Sequence, residues 1–189
     1  MNKMIDIRFH GRGGQGVVTA ARILAEALFK TGKWTQMIPF YEGERRGAPV
    51  KAFLRIDEKP VRITSQVSTP YCIVVLDPIL PKVEDVTAGL KEGGIALFNE
   101  AKHPEELDIG VKLSKIGVVD ATSIAVKVFG RTAIPITNTA MIGAFSAFTR
   151  WVELDILSDI IKRIYPGEIG EKNIEALKKG YKKVQIKTV

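Results

Sequence analysis

A glycine-rich segment near the beginning of the sequence, Gly11-Arg12-Gly13-Gly14-Gln15-Gly16, limits the possible folds more than any other feature. Residues 5–9 (IDIRF) before it alternate apolar and polar as a strand does, and residues 17–30 after it carry apolar residues at helical spacing. Glycines accept positive φ and let backbone N–H groups approach a phosphate, while a helix N-terminus adds partial positive charge. This order predicts an α/β fold in which the loop binds an anion. A tight turn that only permits close helix packing stays open as the alternative.

The rest of the sequence alternates between strand-like and helix-like segments. An antiparallel hairpin is predicted from 49–56 and 59–64, with Asp57-Glu58 as its turn. Further strands are predicted at 35–40, 71–77, 93–99 and 117–121. Helices are predicted through the eighties and over 123–130, 138–151, 153–165 and 171–181, and the one at 138–151 has the small and apolar residues of a buried helix. We therefore predict a three-layer α/β/α fold, a Rossmann-like mixed sheet with an inserted antiparallel hairpin, in a single domain over residues 1–189.

Composition argues against several classes of function. The chain has 28 Lys and Arg against 21 Asp and Glu, a net charge of +7, but this charge is spread along the chain and no nucleic-acid-binding motif accompanies it. A single cysteine excludes an intrachain disulfide and an all-cysteine zinc or iron–sulfur site within this sequence. No apolar run reaches the roughly 18 residues of a membrane span, and no secretory segment is recognisable. We expect a cytoplasmic protein that binds neither nucleic acid nor membrane.

A second charged loop is expected to meet the glycine loop at one edge of the sheet. Residues 41–47 (YEGERRG) follow the second predicted strand, and the ends of parallel strands lie at the same edge. Arg12, Arg45 and Arg46 could then donate to one anion together with the helix N-terminus. An exposed charged turn or an interface ion pair is the alternative role of this loop. Glu42 fits the acidic position of a dinucleotide site, so a free-standing NAD(P)-binding reductase or sensor also stays open.

No sequence pattern indicates catalytic machinery. The chain lacks a G-x-S-x-G elbow, a phosphate-binding G-x-x-x-x-G-K-[ST] loop and an H-E-x-x-H helix. His10 adjoins the glycine loop and could contact a ligand, but a histidine at a strand end is more often hydrogen-bonded within the sheet. Cys72 is typical of a small buried side chain, and Asp77 and Asp120 are expected to cap a turn or a helix. The sequence therefore predicts a binding edge without a nucleophile or its base.

Two long motifs, in sequence order, resemble a known family. HGRGGQGVVTAARILAEA (residues 10–27), followed by YEGERRGAPVKAFLRID (residues 41–57), is similar to the gamma subunits of the 2-oxoacid:ferredoxin oxidoreductases. The later segments VVLDP, GGIALFN, VVDAT and NTAMIGAF occur in the order of that family, so the resemblance covers nearly the whole chain. The loop form GERRGAP, continuing into KAFLRI, resembles the pyruvate and branched-chain ketoacid members more than the 2-oxoglutarate and indolepyruvate members.

The resemblance implies a subunit of a pyruvate:ferredoxin oxidoreductase (pyruvate synthase), which converts pyruvate and coenzyme A to acetyl-CoA and CO2 while it reduces ferredoxin. Thiamine diphosphate, magnesium and [4Fe-4S] clusters would lie on the alpha, beta and delta partner subunits, and this chain would carry no catalytic residue. By position, Gly11 to Gly16 with Arg45 and Arg46 would contact coenzyme A. The resemblance leaves open the preferred 2-oxoacid, the direction of the reaction, the fusion of partner chains and the oligomeric state of the isolated chain.

Overall fold

The computed structural model of the chain describes residues 4–41 and 47–189. Its strands are β1 (Ile5–Arg12), β2 (Trp34–Tyr41), β3 (Pro49–Asp57), β4 (Cys72–Val75), β5 (Ile95–Asn99), β6 (Lys115–Val119) and β7 (Gln185–Thr188). Its helices are α1 (Val17–Lys30), α2 (Leu80–Val83), α3 (Ala121–Phe129), α4 (Asn138–Thr149), α5 (Leu154–Ile164) and α6 (Glu168–Lys183), with a 3₁₀ helix at Pro104–Glu106. No helix in these ranges is both long and apolar enough to cross a membrane.

The strands form one mixed sheet in the order β2-β3-β1-β4-β5-β6-β7. β1, β4, β5 and β6 run parallel to one another, whereas β3 and β7 run antiparallel to their neighbours β1 and β6. β2 pairs antiparallel with β3 and therefore runs parallel to β1. All residues of β4 and β5 are buried, as expected of apolar strands covered on both faces. The predicted mixed α/β sheet is confirmed.

The inserted antiparallel hairpin is present, but the prediction of its second strand was wrong. β2 and β3 form the hairpin, with Tyr41 opposite Val50, and residues 59–64 form no strand. β1 and β2 already occupy the two edges of β3, so no edge remains for residues 59–64 to pair with. The Arg55 guanidinium instead donates to the carbonyl oxygen of Ile63 at 3.1 Å. A side chain thus binds this backbone where a strand partner had been predicted.

Helices and loops cover the two faces of the sheet unequally. One face packs against α1, α3, α4, α5 and α6 around a core that includes Phe9, Leu54 and Leu97. The opposite face, which includes Ile73 and Phe98, packs against α2 and the loops that follow α2 and the 3₁₀ helix. The predicted three-layer arrangement is confirmed, and its second outer layer is thin.

Helix α4 lies inside the thick helical layer, where ten of its twelve residues are buried. This confirms the burial predicted from its small and apolar residues. Two glycines bring α4 and α6 together: a Cβ on Gly143 would lie 2.0 Å from the Leu177 carbonyl oxygen, and a Cβ on Gly180 would lie 1.9 Å from the Ala140 carbonyl oxygen. The two helices therefore pack backbone against backbone, which no larger residue at these positions would allow.

Strand β7 was not predicted from the sequence. It pairs antiparallel with β6, with Lys115 opposite Thr188, and three of its four residues are exposed. The apolar–polar alternation over 184–187 (VQIK) is too brief to indicate a strand by itself, directly after a helical segment. Lys187 within it forms an ion pair with Glu105 at 2.8 Å, which links the strand to the 3₁₀ helix.

Candidate functional site

The carboxyl ends of the adjacent parallel strands β1 and β4 lie side by side at one edge of the sheet. The chain leaves β1 through α1 toward β2 on one side of the sheet, whereas it leaves β4 toward β5 on the other side. The two connections diverge between adjacent parallel strands, and doubly wound folds bind their ligands at such a point. The glycine loop and the N-terminus of α1 lie at this edge.

The glycine loop opens directly onto the N-terminus of α1. Gly11 and Arg12 still belong to β1, and residues 13–16 make the turn. Gly14 is exposed with a φ of 100°, and Gly16 is the N-cap of α1 with a φ of 82°, so both occupy the left-handed region that favours glycine. In the part of the chain that the structure describes, no side chain caps α1. The N–H groups of the first helical turn therefore remain donors for an anion, at the positive end of a 14-residue helix.

Asp77 holds the glycine loop from the end of the neighbouring strand. Its Oδ2 accepts hydrogen bonds from Arg12 Nε at 2.7 Å and from Gln15 Nε2 at 2.6 Å, and its Oδ1 accepts from the Ile79 N–H at 2.8 Å. Gln15 Oε1 accepts in turn from the Arg12 N–H at 2.7 Å. The buried Gln15 side chain is thus engaged within the loop, and Asp77 does more than cap the turn, its expected role.

The Arg12 side chain belongs to this network and is 30% exposed. Its Nε is bound to Asp77, whereas its two terminal nitrogens make no hydrogen bond with any residue that the structure describes. A guanidinium held through Nε presents both terminal N–H groups in a fixed orientation, which suits a phosphate or carboxylate. Arg12 is therefore the predicted site residue whose observed geometry fits a bound anion best.

Asn138, which was not among the predicted site residues, lies against the same helix end. A Cβ on Gly16 would lie 2.4 Å from Asn138 Nδ2, so this amide packs directly over the N-cap of α1. Asn138 is the first residue of α4. Sequence reasoning missed it because the segment NTAMIGAF was interpreted only as a buried helix. The sequence carried one feature that could have indicated Asn138 as a site residue: two polar residues, Asn138 and Thr139, stand at the start of an otherwise apolar helix.

Glu42, Arg45 and Arg46 lie outside the described residues, and their roles stay predictions. The residues that flank them are at the expected edge of the sheet. The Gly47 N–H donates to the Gly13 carbonyl oxygen at 3.2 Å, and the Gly13 N–H donates to the Ala48 carbonyl oxygen at 2.9 Å. The start of β3 is thereby joined to the glycine loop.

The strand order weakens the dinucleotide alternative. In an NAD-binding fold the second parallel strand lies beside the first, so that its terminal carboxylate reaches the ribose. Here β3 separates β2 from β1. Two strand spacings, roughly 10 Å, therefore lie between β1 and the strand whose end was considered for the ribose contact.

His10 lies on the opposite face of β1 from the helical core, within a buried polar network. It is 1% exposed; Arg8 Nε donates to its Nε2 at 2.8 Å, and its Nδ1 lies 3.3 Å from Glu84 Oε1. Because the Arg8 Nε–H can only donate, Nε2 must be unprotonated, and Nδ1 carries the hydrogen that faces Glu84. Both ring nitrogens are therefore occupied, which confirms the structural role expected by default.

The His10 network predicts how stability responds to acid. Burial lowers the pKa of His10, and this outweighs the hydrogen bond with Glu84, which raises it. As pH falls below about 6.5, the unfolded chain takes up a proton at His10 before the folded chain does, so stability decreases by up to about 1.4 kcal/mol per pH unit. Chemical denaturation at several pH values should show this slope, and a His10→Gln variant should lose it. An equal slope in both proteins between pH 6.5 and 5 would contradict the assignment; near pH 8 neither should show a slope from this residue.

Other candidate residues have structural roles. Cys72 is buried in β4, and burial raises the pKa of its thiol. Asp120 caps α3 by accepting a hydrogen bond from the Ser123 N–H at 2.8 Å, the role expected from its position. Within residues 4–41 and 47–189, no group of three or more His, Cys, Asp or Glu side chains is arranged to hold a metal ion.

Comparison with known proteins gives consistent matches along nearly the whole chain. The family model of the pyruvate ferredoxin/flavodoxin oxidoreductases matches residues 6–183. The pyruvate/ketoisovalerate oxidoreductases common subunit gamma of Pyrococcus abyssi is 52% identical over 185 residues, which are 97% of this chain and 98% of that protein. These matches extend across the glycine loop, α4 and α6.

Solved structures resemble the chain over a similar share of its length. The pyruvate oxidoreductase subunit PORC of Thermotoga maritima superposes with a TM-score of 0.81 at 39% identity, over 97% of this chain and 98% of that chain. A 2-oxoglutarate:ferredoxin oxidoreductase from Magnetococcus marinus, solved with 2-oxoglutarate, coenzyme A and succinyl-CoA bound, has a TM-score of 0.72 at 18% identity. That similarity covers 95% of this chain but 31% of the longer one, and it shows a shared fold.

Proposed function

The chain belongs to the pyruvate ferredoxin/flavodoxin oxidoreductase family, and on that premise we propose that it is the gamma subunit of a multisubunit pyruvate (2-oxoacid):ferredoxin oxidoreductase. The complex would oxidatively decarboxylate pyruvate with coenzyme A to acetyl-CoA and CO2 while it reduces ferredoxin. The names of the gamma subunit from Pyrococcus abyssi and of PORC from Thermotoga maritima support this assignment, since both refer to pyruvate. The family match and the strand order both disfavour a free-standing NAD(P)-binding reductase.

We propose that this chain contributes the site for coenzyme A. The observation that carries the proposal is the sheet edge at the carboxyl ends of β1 and β4, where, among the described residues, the terminal nitrogens of Arg12 have no partner and no side chain caps the N-terminus of α1. Coenzyme A carries a pyrophosphate and a 3′-phosphate, which are the ligands that a helix N-terminus and a guanidinium bind well. A structure of the family's fold that contains coenzyme A supports the same choice of ligand.

The chemistry of bond breaking would take place on partner subunits. Alpha, beta and delta subunits would supply thiamine diphosphate, magnesium and [4Fe-4S] clusters, and ferredoxin would bind through the complex. A chain with one cysteine cannot supply the cysteine ligands of a cluster by itself, which supports this division. We further propose that residues 1–189 act as one domain, because strands from both ends of the chain belong to one sheet. A cytoplasmic location stays a prediction.

The contribution of this chain to the rate would be one of orientation. Arg12 and the first turn of α1 would hold the phosphate groups, so that the flexible remainder of coenzyme A could extend toward the thiamine site on a partner chain. Fixing one end of the molecule raises the effective concentration of its thiol at the other end. No proton transfer by this chain is required, in agreement with the engaged nitrogens of His10 and with Asp77 being bound to Arg12 and Gln15.

Replacing Arg12 with alanine tests the proposed site. Loss of a charge-assisted contact worth about 1.5–3 kcal/mol should raise the KM for coenzyme A about 10- to 150-fold, with kcat at saturation nearly unchanged. The measurement is steady-state kinetics of the reconstituted complex, with native mass spectrometry to verify that each variant assembles. Arg22→Ala is the matched control, because Arg22 is exposed farther along the same helix. A KM that is the same in the Arg12 and Arg22 variants would refute the assignment.

A further inference from the structure

Asn138 combines deep burial with an unused hydrogen-bond donor. The residue is 2% exposed, and its Oδ1 accepts a hydrogen bond from the Thr139 N–H at 2.8 Å. Its Nδ2 donates no hydrogen bond to any residue of the described part of the chain. The neighbouring Thr139 Oγ1 is buried and likewise has no partner there. Buried amides and hydroxyls are nearly always satisfied, so the Asn138 Nδ2 and the Thr139 Oγ1, which have no partner among the described residues, are available to an acceptor on a bound ligand.

The location of this amide indicates what the acceptor is. Asn138 Nδ2 packs against Gly16, the N-cap of α1, as the 2.4 Å separation from a Cβ at that position shows. Asn138 also opens α4, and the N-cap residue Thr137 does not cap that helix because its hydroxyl donates to the Leu76 carbonyl oxygen at 3.3 Å. The N-termini of a 14-residue and a 12-residue helix therefore meet at the glycine loop. Two positive helix ends and an amide donor together favour an anionic group.

We propose that Asn138 is a phosphate-binding residue, whose Nδ2 donates to a phosphate oxygen of coenzyme A held at the N-terminus of α1. The inference rests on the proposed function and adds a contact from a second helix to the site. Arg12 approaches the bound group from the end of β1, and Asn138 approaches it from α4. With donors on two sides, the site selects a tetrahedral anion with several acceptor oxygens over a planar carboxylate.

Replacing Asn138 with aspartate separates this role from a purely structural one. The two side chains have the same shape, and Asp keeps an oxygen for the Thr139 N–H. A negative charge in the first turn of α4 also interacts favourably with the helix dipole. Asn138 is buried, so the new carboxylate also carries a desolvation cost, and the melting temperature of each variant is measured beside its affinity. A phosphate-binding Asn138 predicts weaker coenzyme A binding both in Asn138→Asp, whose carboxylate repels the phosphate, and in the uncharged Asn138→Ala. A structural Asn138 predicts that Asn138→Ala binds coenzyme A as the wild type does.

The experiment uses the assembled complex and coenzyme A as the probe. Isothermal titration calorimetry without pyruvate should show a Kd at least 10-fold higher for Asn138→Asp than for the wild type, and the KM should rise in parallel while kcat at saturation is retained. Asn173→Asp is the matched control: it introduces the same charge at a buried asparagine of α6, whose Nδ2 is bound to the Ile169 carbonyl oxygen at 2.8 Å. Asn138→Ala removes the donor without adding charge and should raise the Kd about 5- to 10-fold.

The outcomes distinguish this inference from the proposed function. If Arg12→Ala weakens coenzyme A binding but both Asn138 variants bind as the wild type does, the role of Asn138 is refuted and the site itself stands. If none of the three variants changes binding, the assignment of coenzyme A to this edge is refuted as well. Weaker binding by Asn138→Asp together with an equal effect of Asn173→Asp would show a general charge effect and would also overturn the inference.

Discussion

A Gly180→Ala variant is expected to lose about 3 kcal/mol of stability, although alanine favours helices more than glycine does. The new Cβ would lie 1.9 Å from the Ala140 carbonyl oxygen, a backbone atom that can move only if α4 and α6 separate. Overpacking of this kind costs about 1–3 kcal/mol where neighbours can adjust and more where they cannot, which exceeds the helix-propensity gain of about 1 kcal/mol. Thermal unfolding should show a melting temperature lower by roughly 6–12 °C.

Gly110→Ala provides the control for that experiment. Nothing lies within 4 Å of a Cβ at Gly110, so only its left-handed φ of 68° opposes the substitution, at a cost of about 1–2 kcal/mol. Gly143→Ala should resemble Gly180→Ala, because its Cβ would lie 2.0 Å from the Leu177 carbonyl oxygen. A Gly180 variant as stable as the Gly110 variant would show that the two helices are not in backbone contact.

Asp77→Ala is expected to cause the second largest loss of stability, and the residues that it affects belong to the candidate site itself. Its carboxylate accepts from Arg12, Gln15 and the Ile79 N–H, so its removal leaves a buried amide and part of a guanidinium without their acceptor. Breaking a buried ion pair costs about 3–5 kcal/mol; because Arg12 is 30% exposed, we expect about 2–3 kcal/mol here. Chemical denaturation measures the loss, and hydrogen exchange of the amides at residues 12–16 should become faster.

Asp120→Ala serves as the matched control for Asp77→Ala, since both aspartates follow a parallel strand at the same edge. Asp120 is an N-cap, and its loss should cost about 1 kcal/mol without affecting exchange in the glycine loop. The stability of Asp77→Asn should fall between the wild type and Asp77→Ala, because an amide oxygen at the place of Oδ2 can still accept from Arg12 and Gln15, whereas the amide nitrogen cannot accept from the Ile79 N–H. Unchanged exchange in the glycine loop of Asp77→Ala would mean that Asp77 does not hold that loop.

The elements that sequence patterns located correctly have either apolar residues at helical spacing or a continuous apolar run. The helix at 17–30 agrees with α1 at both ends, and the apolar segments at 71–77 and 93–99 contain β4 and β5. The strand predicted at 59–64 was wrong because short alternating segments fit a strand wherever a partner edge is free, and edge occupancy is a property of the whole sheet. The same limit hid β7, which forms only because β6 offers it an edge.

In the candidate site, too, sequence patterns indicated the features that depend on neighbouring residues, but not the contacts between residues far apart in sequence. Left-handed glycines at a strand–helix turn are a local property, and the segment at 11–16 revealed them. The partners of that loop are Asp77 and Asn138, which lie more than 60 residues away in sequence. No local pattern reports such contacts, so Asp77 was expected to be only a cap and Asn138 was not considered. Sequence reasoning could find the loop that binds but not the residues that orient it.

The antiparallel strands at the two ends of the sheet also affect the tendency of this protein to aggregate at high concentration. β7 covers β6, which would otherwise leave an apolar strand open to addition of another chain; β7 itself is short and carries Lys187, and both properties discourage aggregation. The opposite edge is different, because β2 has eight residues and none is charged. Pro39 is the residue there that lacks an N–H donor, so it is the main obstacle to strand addition at that edge. Aggregation of a destabilised variant should therefore begin at β2.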